Sequence, residues 1–445
     1  MRKILFISLG CDKNLVDTEY MIGSLAGSGY EITDDDAKAD VIVINTCSFI
    51  HDAQDESVSN ILSMARHKED GNLKALIIAG CLAQQYGDDI LDELPEVDAV
   101  IGTNSYDMLP QIIERVLEGE RVVVKNELTG LPKNNGKRIM TTGGHFEYLK
   151  IAEGCDKHCT YCVIPSLRGR YRSVPMDQLL DEARTLVENG VAELNIVAQE
   201  TTLYGVDIYG KKSLHILLEK LCEIEELHWI RLLYTYPEEI YPELIDTIKN
   251  NKKICNYLDM PIQHCSDDIL KRMGRKTDKS DIIDIISTLR KEIPDIVLRT
   301  TLITGFPGET EEQHEELKRF VSEMRFDRLG VFTYSRQDGT PAASMPDQIE
   351  EDIKEQRKEE IMLIQQEISA DRNSEQIGKS REVFVEGYIP EEDIYVGRSY
   401  ADAPNIDGYV FFNAYRTLDS GVFVNCNITE SSEYDLIGEM YEFAE

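Results

Sequence analysis

The sequence predicts an α/β protein with an amino-terminal doubly wound α/β domain, a central partial (βα)6 barrel and a small carboxy-terminal antiparallel β-barrel. Short apolar runs separated by helical patterns predict parallel strands and crossover helices over most of the chain. From about Glu382 the pattern changes to short, regularly spaced β runs, which predict the final barrel. The predicted parts are residues 1–125, a linker at 126–146, residues 147–375 and residues 376–445.

Three apolar runs, at 3–8, 41–45 and 75–79, dominate the amino-terminal domain. Helical patterns over 17–27 and 53–66 lie between them, so we expect a parallel sheet with right-handed crossovers. A cysteine follows each run. Because parallel sheets gather ligands at the carboxyl ends of their strands, these cysteines should converge. They are Cys11, Cys47 and Cys81.

A single cysteine at a strand end is most often a small buried hydrophobic residue. Three in register are explained more economically as three ligands of a 4Fe-4S cluster with one open iron, since such clusters normally take four cysteines. Four other cysteines show no ligand spacing and are predicted to be structural. They are Cys222, Cys255, Cys265 and Cys426.

The region 125–146 is rich in Gly, Pro, Asn and Lys, the composition of a linker. Beyond it, six strand-like runs alternate with helices, which predicts a laterally open version of the eight-stranded barrel with reactive residues at its carboxyl strand ends. The runs are 148–152, 194–199, 229–235, 256–263, 296–304 and 328–335. A long charged helix over 346–374 is predicted to strap the barrel.

The first barrel strand is followed by Cys155, Cys159 and Cys162 in the spacing CxxxCxxC. Three thiolates on one loop can hold three corners of a 4Fe-4S cluster and leave one iron open. The amino acid end of S-adenosyl-L-methionine fits an open iron, and one electron from the cluster can split its sulfonium. Zinc is the alternative, since His158 completes a Cys3His set. However, adjacent residues rarely reach one tetrahedral ion together.

This loop resembles the signature of the radical S-adenosylmethionine superfamily, which has CxxxCxxC after the first barrel strand. The turn at 305–310 resembles the cofactor segment of that superfamily, although a simple turn capped by Thr310 is the alternative. The candidate cofactor contacts are Tyr161, Gln199, Glu200, Arg299 and Gly305.

Further hypotheses concern individual side chains. Arg299 lies in an otherwise apolar strand and needs an anionic partner, which we expect to be the cofactor carboxylate or the surroundings of its ribose. Tyr161 is expected to stack on adenine or to pack as an ordinary aromatic. His264 is either a structural histidine or a proton-transfer or substrate contact. A basic cluster could meet an acidic side chain or pair with surface carboxylates. It consists of Arg168, Arg170 and Arg172.

The net charge of −35 argues against a nucleic-acid partner, because nucleic-acid binders normally show a basic face. Residues 381–445 hold 14 acidic residues, three arginines and no lysine. A basic protein partner is therefore more natural, and an acidic surface that only aids solubility is the alternative. The β runs of this tail resemble the TRAM domain, which is often an RNA-binding module, but its charge departs from that use.

Ten cysteines, six of them in metal-like positions, and the lack of an export signal predict a reducing compartment. No apolar run is long enough to cross a bilayer. We therefore expect a cytoplasmic protein with no membrane partner.

The segments around the strand-end cysteines, 8–17, 45–50 and 79–82, resemble the methylthiotransferases. In that family an amino-terminal domain carries an auxiliary cluster ahead of the radical domain. Together with the acidic tail, the segments 263–264 and 397–408 resemble the branch of the family that modifies a ribosomal protein.

The resemblance implies two 4Fe-4S clusters, S-adenosyl-L-methionine, an electron donor and a sulfur donor. Its implied substrate is an aspartate on the twelfth protein of the small ribosomal subunit. A 5′-deoxyadenosyl radical made at the Cys155 loop would remove hydrogen from the β-carbon, which would take up a methylthio group built at the Cys11 set. One departure is Glu200, where many relatives have Asp. A tRNA methylthiotransferase and a non-catalytic two-cluster electron carrier are the alternatives.

Overall fold

The computed structural model describes residues 2–133, 137–143 and 145–441. Parts of the predicted linker and both chain ends lie outside the described residues, namely 1, 134–136, 144 and 442–445. The exact domain boundaries therefore stay predictions. Within the described part of the chain, no helix has both the length and the apolar character needed to cross a membrane.

The amino-terminal domain is a parallel sheet between helices. Its strands are β1 (Arg2–Ser8), β2 (Tyr30–Ile32), β3 (Val41–Thr46), β4 (Ala75–Gly80), β5 (Ala99–Ile101) and β6 (Val122–Val124). Its helices are α1 (Asp12–Ser24), α2 (His51–Ala65), α3 (His67–Asp70), α4 (Cys81–Tyr86), α5 (Asp88–Glu93) and α6 (Leu109–Leu117). The strand order is β2-β1-β3-β4-β5-β6, and every pairing is parallel.

Both faces of this sheet are covered, which confirms the doubly wound prediction. Val41 and Val43 point into one core together with Ile112 of α6. Ile42 and Ile44 point into a second core on the opposite face. Side chains alternate between faces along a strand, so a run that is apolar at every position serves both cores. The three-residue strands β2, β5 and β6 were not predicted, because they are too short to show such a run.

The central domain is built on six parallel strands. They are β7 (Phe146–Lys150), β10 (Glu193–Val197), β11 (Trp229–Leu232), β12 (Ile254–Asp259), β13 (Val297–Thr304) and β14 (Arg328–Thr333). A small hairpin comprises β8 (Ala152–Glu153) and β9 (Arg172–Ser173). The helices are α7 (Ile164–Arg168), α8 (Met176–Glu188), α9 (Val206–Tyr209), α10 (Leu214–Cys222), α11 (Pro242–Asn250), α12 (Asp267–Arg272), α13 (Lys279–Glu292), α14 (Glu311–Met324) and α15 (Glu351–Ser374).

The strands of the central domain pair in chain order, with β7 and β14 as the two edges. The predicted six-unit, laterally open barrel is therefore confirmed. The main core lies between the sheet and the outer helices. Helix α15 packs against β14 and α14, as expected for the predicted strap, but it begins at Glu351, after Pro346.

The carboxy-terminal domain is a closed five-stranded barrel in the order β15-β16-β17-β19-β18, as predicted, and its pairings are antiparallel except that β17 pairs with β19 in parallel. Its strands are β15 (Ser380–Ile389), β16 (Ile394–Arg398), β17 (Val410–Asn413), β18 (Phe423–Ser431) and β19 (Leu436–Tyr441). It docks on the central domain through a buried ion pair between Arg398 and Glu193 at 2.7 Å, and Arg231 of the central domain donates to the carbonyl of Tyr400 over 2.5 Å. Because Glu193 opens β10, the domain sits at the amino ends of the barrel strands, away from the cysteine loop.

Candidate active site

The loop with three cysteines is tightly curled and held by backbone contacts. Gly154 precedes it with φ 76°, and a Cβ there would come within 2.2 Å of a backbone carbonyl. The N–H of Cys155 donates to the carbonyl of Gly169 over 3.1 Å, and that of Cys162 donates to the carbonyl of Cys159 over 3.1 Å. Three thiols are thus concentrated in one short stretch of chain.

Two of these thiols, Cys155 and Cys162, are poor acids as they stand. Burial raises the pKa of Cys155 and of Cys162 to about 12, and the nearby Cys159 sulfur adds to the effect at both. Buried thiols of this kind become thiolates when a cation binds them, and a coordinating metal deprotonates them outright. The donor set therefore fits an iron–sulfur cluster that takes three cysteine thiolates.

The second set of cysteines comes from three strand ends of the first sheet. Cys11 immediately precedes α1, Cys47 follows β3, and Cys81 opens α4. Burial raises the pKa of Cys47 to about 12, and the sulfurs of Cys81 and Cys11 raise it further. The parallel strands thus bring together three side chains that are distant in sequence.

Close backbone packing surrounds this second set. Gly10 has φ 88°, and a Cβ there would lie 2.6 Å from the Cβ of Cys47. The Asn14 side chain donates to the carbonyls of Leu9 and Thr46 over 3.0 and 3.1 Å, which ties the first strand end to the second. No local pattern in the sequence marks Asn14, because its role depends on two loops meeting.

Helix α7 lies between the two sets of cysteines. It begins two residues after Cys162. Val163 and Leu167 pack against Cys81 of the second set. The hydroxyl of Thr103, in the amino-terminal domain, donates a hydrogen bond to the carbonyl of Leu167 over 2.6 Å. The two sets are therefore neighbours, separated by one short helix.

Glu200 and Gln199 present unused acceptors near the cysteine loop. Glu200 is buried, and its Oε1 accepts from the N–H of Thr202 over 2.8 Å. Its Oε2 lies 4.0 Å from Lys157 Nζ and has no hydrogen-bond partner among the described residues. Burial raises the pKa of Glu200 to about 7. Gln199 donates to Glu153 over 3.1 Å, while its Oε1 lacks a described partner.

Arg275 offers the opposite chemistry and was missed in the sequence analysis. It is buried, its Nη2 donates to the carbonyl of Pro261 over 2.9 Å, and its guanidinium lies 4.4 Å from the ring centre of Tyr236. Its Nε and Nη1 have no acceptor in the described part of the chain. Nothing in the spacing around Arg275 marks it, since only the fold places it beside the loop. A buried guanidinium with free donors suits an anionic ligand.

Tyr161 lies within the cysteine loop and is partly buried against Met273 and Phe306. Beside it, the N–H of Thr160 donates to the carbonyl of Met273 over 2.9 Å, which docks the loop on the segment before Arg275. The packing fits an ordinary aromatic, and stacking on adenine stays a prediction.

Arg299 already has anionic partners from the protein. Its Nη1 lies 2.8 Å from Asp259, and its Nε lies 3.6 Å from Asp407 of the carboxy-terminal domain. The requirement of a buried guanidinium for a carboxylate is therefore met without a cofactor. Contact with the cofactor stays a prediction that this geometry does not favour.

Gly305 and His264 also have structural explanations. Gly305 has φ 71°, and a Cβ there would lie 2.2 Å from Cγ of Lys354. Its N–H donates to Glu309 over 2.6 Å, and Thr310 forms the predicted helix cap. His264 accepts from the N–H of Ser266 over 2.9 Å, and burial lowers its pKa to about 3, so its imidazole is neutral.

The basic cluster divides into three different environments. Arg170 is exposed and pairs with Asp156 at 3.1 Å. Arg172 donates to backbone carbonyls, including that of Leu128 over 2.7 Å. Arg168 is buried and reaches the second set of cysteines.

Three family models match this chain. Residues 3–102 match the uncharacterized protein family UPF0004, residues 149–321 match the radical SAM superfamily, and residues 377–440 match the TRAM domain.

Among solved structures, the fold resembles the radical S-adenosylmethionine methyltransferase TsrM from Kitasatospora setae, with a TM-score of 0.56 and 15% identity. The match covers 77% of this chain and 74% of that chain. The cobalamin-dependent S-adenosylmethionine radical enzyme OxsB is also similar, with a TM-score of 0.53 and 14% identity. The match covers 82% of this chain and 56% of OxsB. Fold and cysteine loop together define a radical S-adenosylmethionine protein.

Curated relatives narrow this class. A ribosomal protein uS12 methylthiotransferase RimO from Lachnoclostridium phytofermentans is 58% identical over 436 residues, which are 98% of this chain and 99% of the relative. One of the same name from Clostridioides difficile is 48% identical over 445 residues and covers both chains completely. This chain belongs to the RimO family of methylthiotransferases.

Proposed function

We propose that this protein attaches a methylthio group to the β-carbon of an aspartate in ribosomal protein uS12 and so forms 3-methylthioaspartate. The relatives at 48–58% identity carry this substrate in their name. The observation that carries the proposal is that two sets of three thiols flank one short helix, α7. A radical centre and a sulfur-bearing centre must both reach the same substrate carbon, and this arrangement suits that requirement.

We assign one 4Fe-4S cluster to each set, held by Cys155, Cys159 and Cys162 in the loop and by the three strand-end cysteines. When bound, the loop cluster supplies the electron that cleaves S-adenosyl-L-methionine, and the second cluster holds the sulfur to be transferred. Three ligands per set leave one iron of each cluster open. The strand-end ligands are Cys11, Cys47 and Cys81.

The polar groups around the loop suit the charges of S-adenosyl-L-methionine. The free donors of Arg275 match its carboxylate, because a planar guanidinium binds carboxylates through two parallel hydrogen bonds. The free oxygens of Gln199 and Glu200 match its ammonium group or ribose hydroxyls. Tyr161 supplies an aromatic surface for adenine. Burial of Glu200 and Arg275 helps to keep water away from the reacting atoms.

A basic protein substrate agrees with the charge of the chain. The net charge of −35 attracts a basic partner and repels the phosphates of RNA, so uS12 is favoured over tRNA. The reaction also requires an electron donor and a sulfur donor, which we infer as further partners.

The test uses the anaerobically reconstituted full chain, a reductant, S-adenosyl-L-methionine and uS12 from cells lacking this gene. Mass spectrometry is expected to show one methylthio group on a uS12 aspartate, and none on undermodified tRNA run in parallel. Cys47→Ala is expected to lose this product while still forming 5′-deoxyadenosine. Cys426→Ala, a buried cysteine of the carboxy-terminal barrel, is the matched control and should keep full activity.

Two results would contradict the proposal. Modification of tRNA without modification of uS12 would assign a different substrate. Failure of the reduced wild-type protein to form any 5′-deoxyadenosine would favour an electron carrier without turnover.

A further inference from the structure

Arg168 connects the two cysteine sets across the domain boundary. It is the last residue of α7, the helix that follows the CxxxCxxC loop, and its side chain is 2% exposed. Its Nη2 lies 3.6 Å from the sulfur of Cys81, within hydrogen-bond reach of a thiol or thiolate. A residue of the central domain therefore contacts a proposed cluster ligand of the amino-terminal domain.

The guanidinium is held in a fixed orientation by partners other than the sulfur. Nη2 also donates to Oδ1 of Asn14 over 2.5 Å, and Nη1 donates to Asp17 over 2.6 Å. Glu153 lies 3.4 Å from Nη1. These contacts fix the planar fork of donors, so that one N–H remains directed at the sulfur.

The charges near Arg168 balance without Cys81. Lys150 pairs with both Asp17 and Glu153, so two cations face two carboxylates. A thiolate at Cys81 would add one negative charge, and the Arg168 guanidinium lies 3.6 Å from that sulfur.

We propose that Arg168 is a positioning residue of the second centre, which donates a charge-assisted hydrogen bond to the Cys81 sulfur of the bound cluster. This inference depends on the proposed second cluster. Hydrogen bonds to cluster sulfurs, together with net charge and solvent exposure, set the reduction potential. A cation at this sulfur favours the reduced cluster, because reduction adds negative charge. Arg168 therefore raises the potential of the second cluster selectively.

The test is a redox titration, followed by electron paramagnetic resonance, of the reconstituted full chain with the change Cys159→Ala. That change removes the loop cluster, so the remaining signal comes from the second centre. Adding Arg168→Met is expected to lower the midpoint potential of the second cluster by at least about 59 mV, which is a tenfold shift of the one-electron equilibrium toward the oxidised cluster. Arg168→Lys should shift it less. Arg170→Met is the matched control, because Arg170 is a neighbouring arginine that is exposed and pairs with Asp156, and it should leave the potential unchanged.

An unchanged midpoint in Arg168→Met protein that keeps its iron would overturn the inference, as would an equal shift in Arg170→Met. If Arg168→Met loses the cluster, Arg168→Lys decides, and an unchanged midpoint there has the same meaning. If the Cys159→Ala chain binds no cluster, the result contradicts the second cluster of the proposed function and not the role of Arg168. An absent cluster and an unshifted midpoint are thus distinguishable results.

Discussion

The two sets of three cysteines differ in how the chain brings them together. The loop set lies within Cys155–Cys162, on one turn of backbone, whereas the second set uses three strand ends of a six-stranded sheet. The loop is largely defined by its local conformation. The second set exists only when β1, β3 and β4 are paired. Damage to the first sheet should therefore remove the second centre and spare the loop.

The largest effect is expected for Cys159→Ala. Loss of one loop ligand should abolish formation of 5′-deoxyadenosine down to the background of metal-free protein, while the second centre keeps its iron. Iron analysis and chromatography of the reaction products check this expectation. If the variant lost both clusters together, the two sets would not be independent.

Gly10→Ala tests the dependence of the second set on the sheet. A Cβ at Gly10 would lie 2.6 Å from Cβ and 2.9 Å from the sulfur of Cys47, so this cysteine must move. We expect a loss of about 1–3 kcal/mol in unfolding free energy and loss of the second cluster, with 5′-deoxyadenosine formation retained. Denaturant unfolding and iron content measure the two effects.

Gly27→Ala is the matched control for that variant. Gly27 has φ 83°, but among the described residues none beyond its two chain neighbours has an atom within 4 Å of the added Cβ. It should cost about 1 kcal/mol from backbone strain alone and leave both clusters in place. Equal cluster loss in both glycine variants would show that strain, rather than contact with Cys47, is responsible.

Two buried glutamates give opposite pH dependence. Burial raises the pKa of Glu200 from 4.5 to about 7. The free energy of unfolding therefore falls by up to about 3 kcal/mol as the pH rises from 4.5 through 7. At Glu153 the Lys150 and Arg168 cations outweigh burial and lower the pKa to about 2. Its stabilising contribution is present at neutral pH and is lost as pH falls through about 2.

Substitution by glutamine should separate these two effects in the metal-free chain. At pH 8, Glu200→Gln is expected to unfold at a higher denaturant concentration than wild type, and Glu153→Gln at a lower one. The gain from Glu200→Gln should shrink strongly near pH 5 and disappear below pH 4.5, where this carboxyl is protonated in both the folded and the unfolded wild-type chain. A gain that is the same at both pH values would show that this carboxyl does not titrate near 7.

The smallest effect is expected for Arg170→Gln. Arg170 lies beside the loop, but its side chain is 87% exposed and pairs with an exposed aspartate. Exposed pairs of this kind often contribute nothing measurable. Melting temperature, iron content and 5′-deoxyadenosine formation should all match wild type, and a clear loss in any of them would give Arg170 a role at the loop.

The sequence predicted those features that have a local or periodic signal. CxxxCxxC marks the loop, and apolar runs mark β1, β3, β4 and the six barrel strands. It did not predict features made by distant contacts. Arg299 was expected to meet a cofactor because its partners Asp259 and Asp407 lie 40 or more residues away along the chain, on a neighbouring strand and in another domain. The free donors of Arg275 depend on how its segment docks on the loop. The same reason hid the contact of Arg168 with Cys81.

The central claim is tested most directly by the iron and acid-labile sulfide content of the anaerobically reconstituted wild-type chain, read together with its electron paramagnetic resonance spectrum after reduction. Two sets of three cysteines predict about eight iron atoms per chain, four per cubane, and about four in either Cys47→Ala or Cys159→Ala. About four irons in the wild type, with no change in Cys47→Ala, would contradict it.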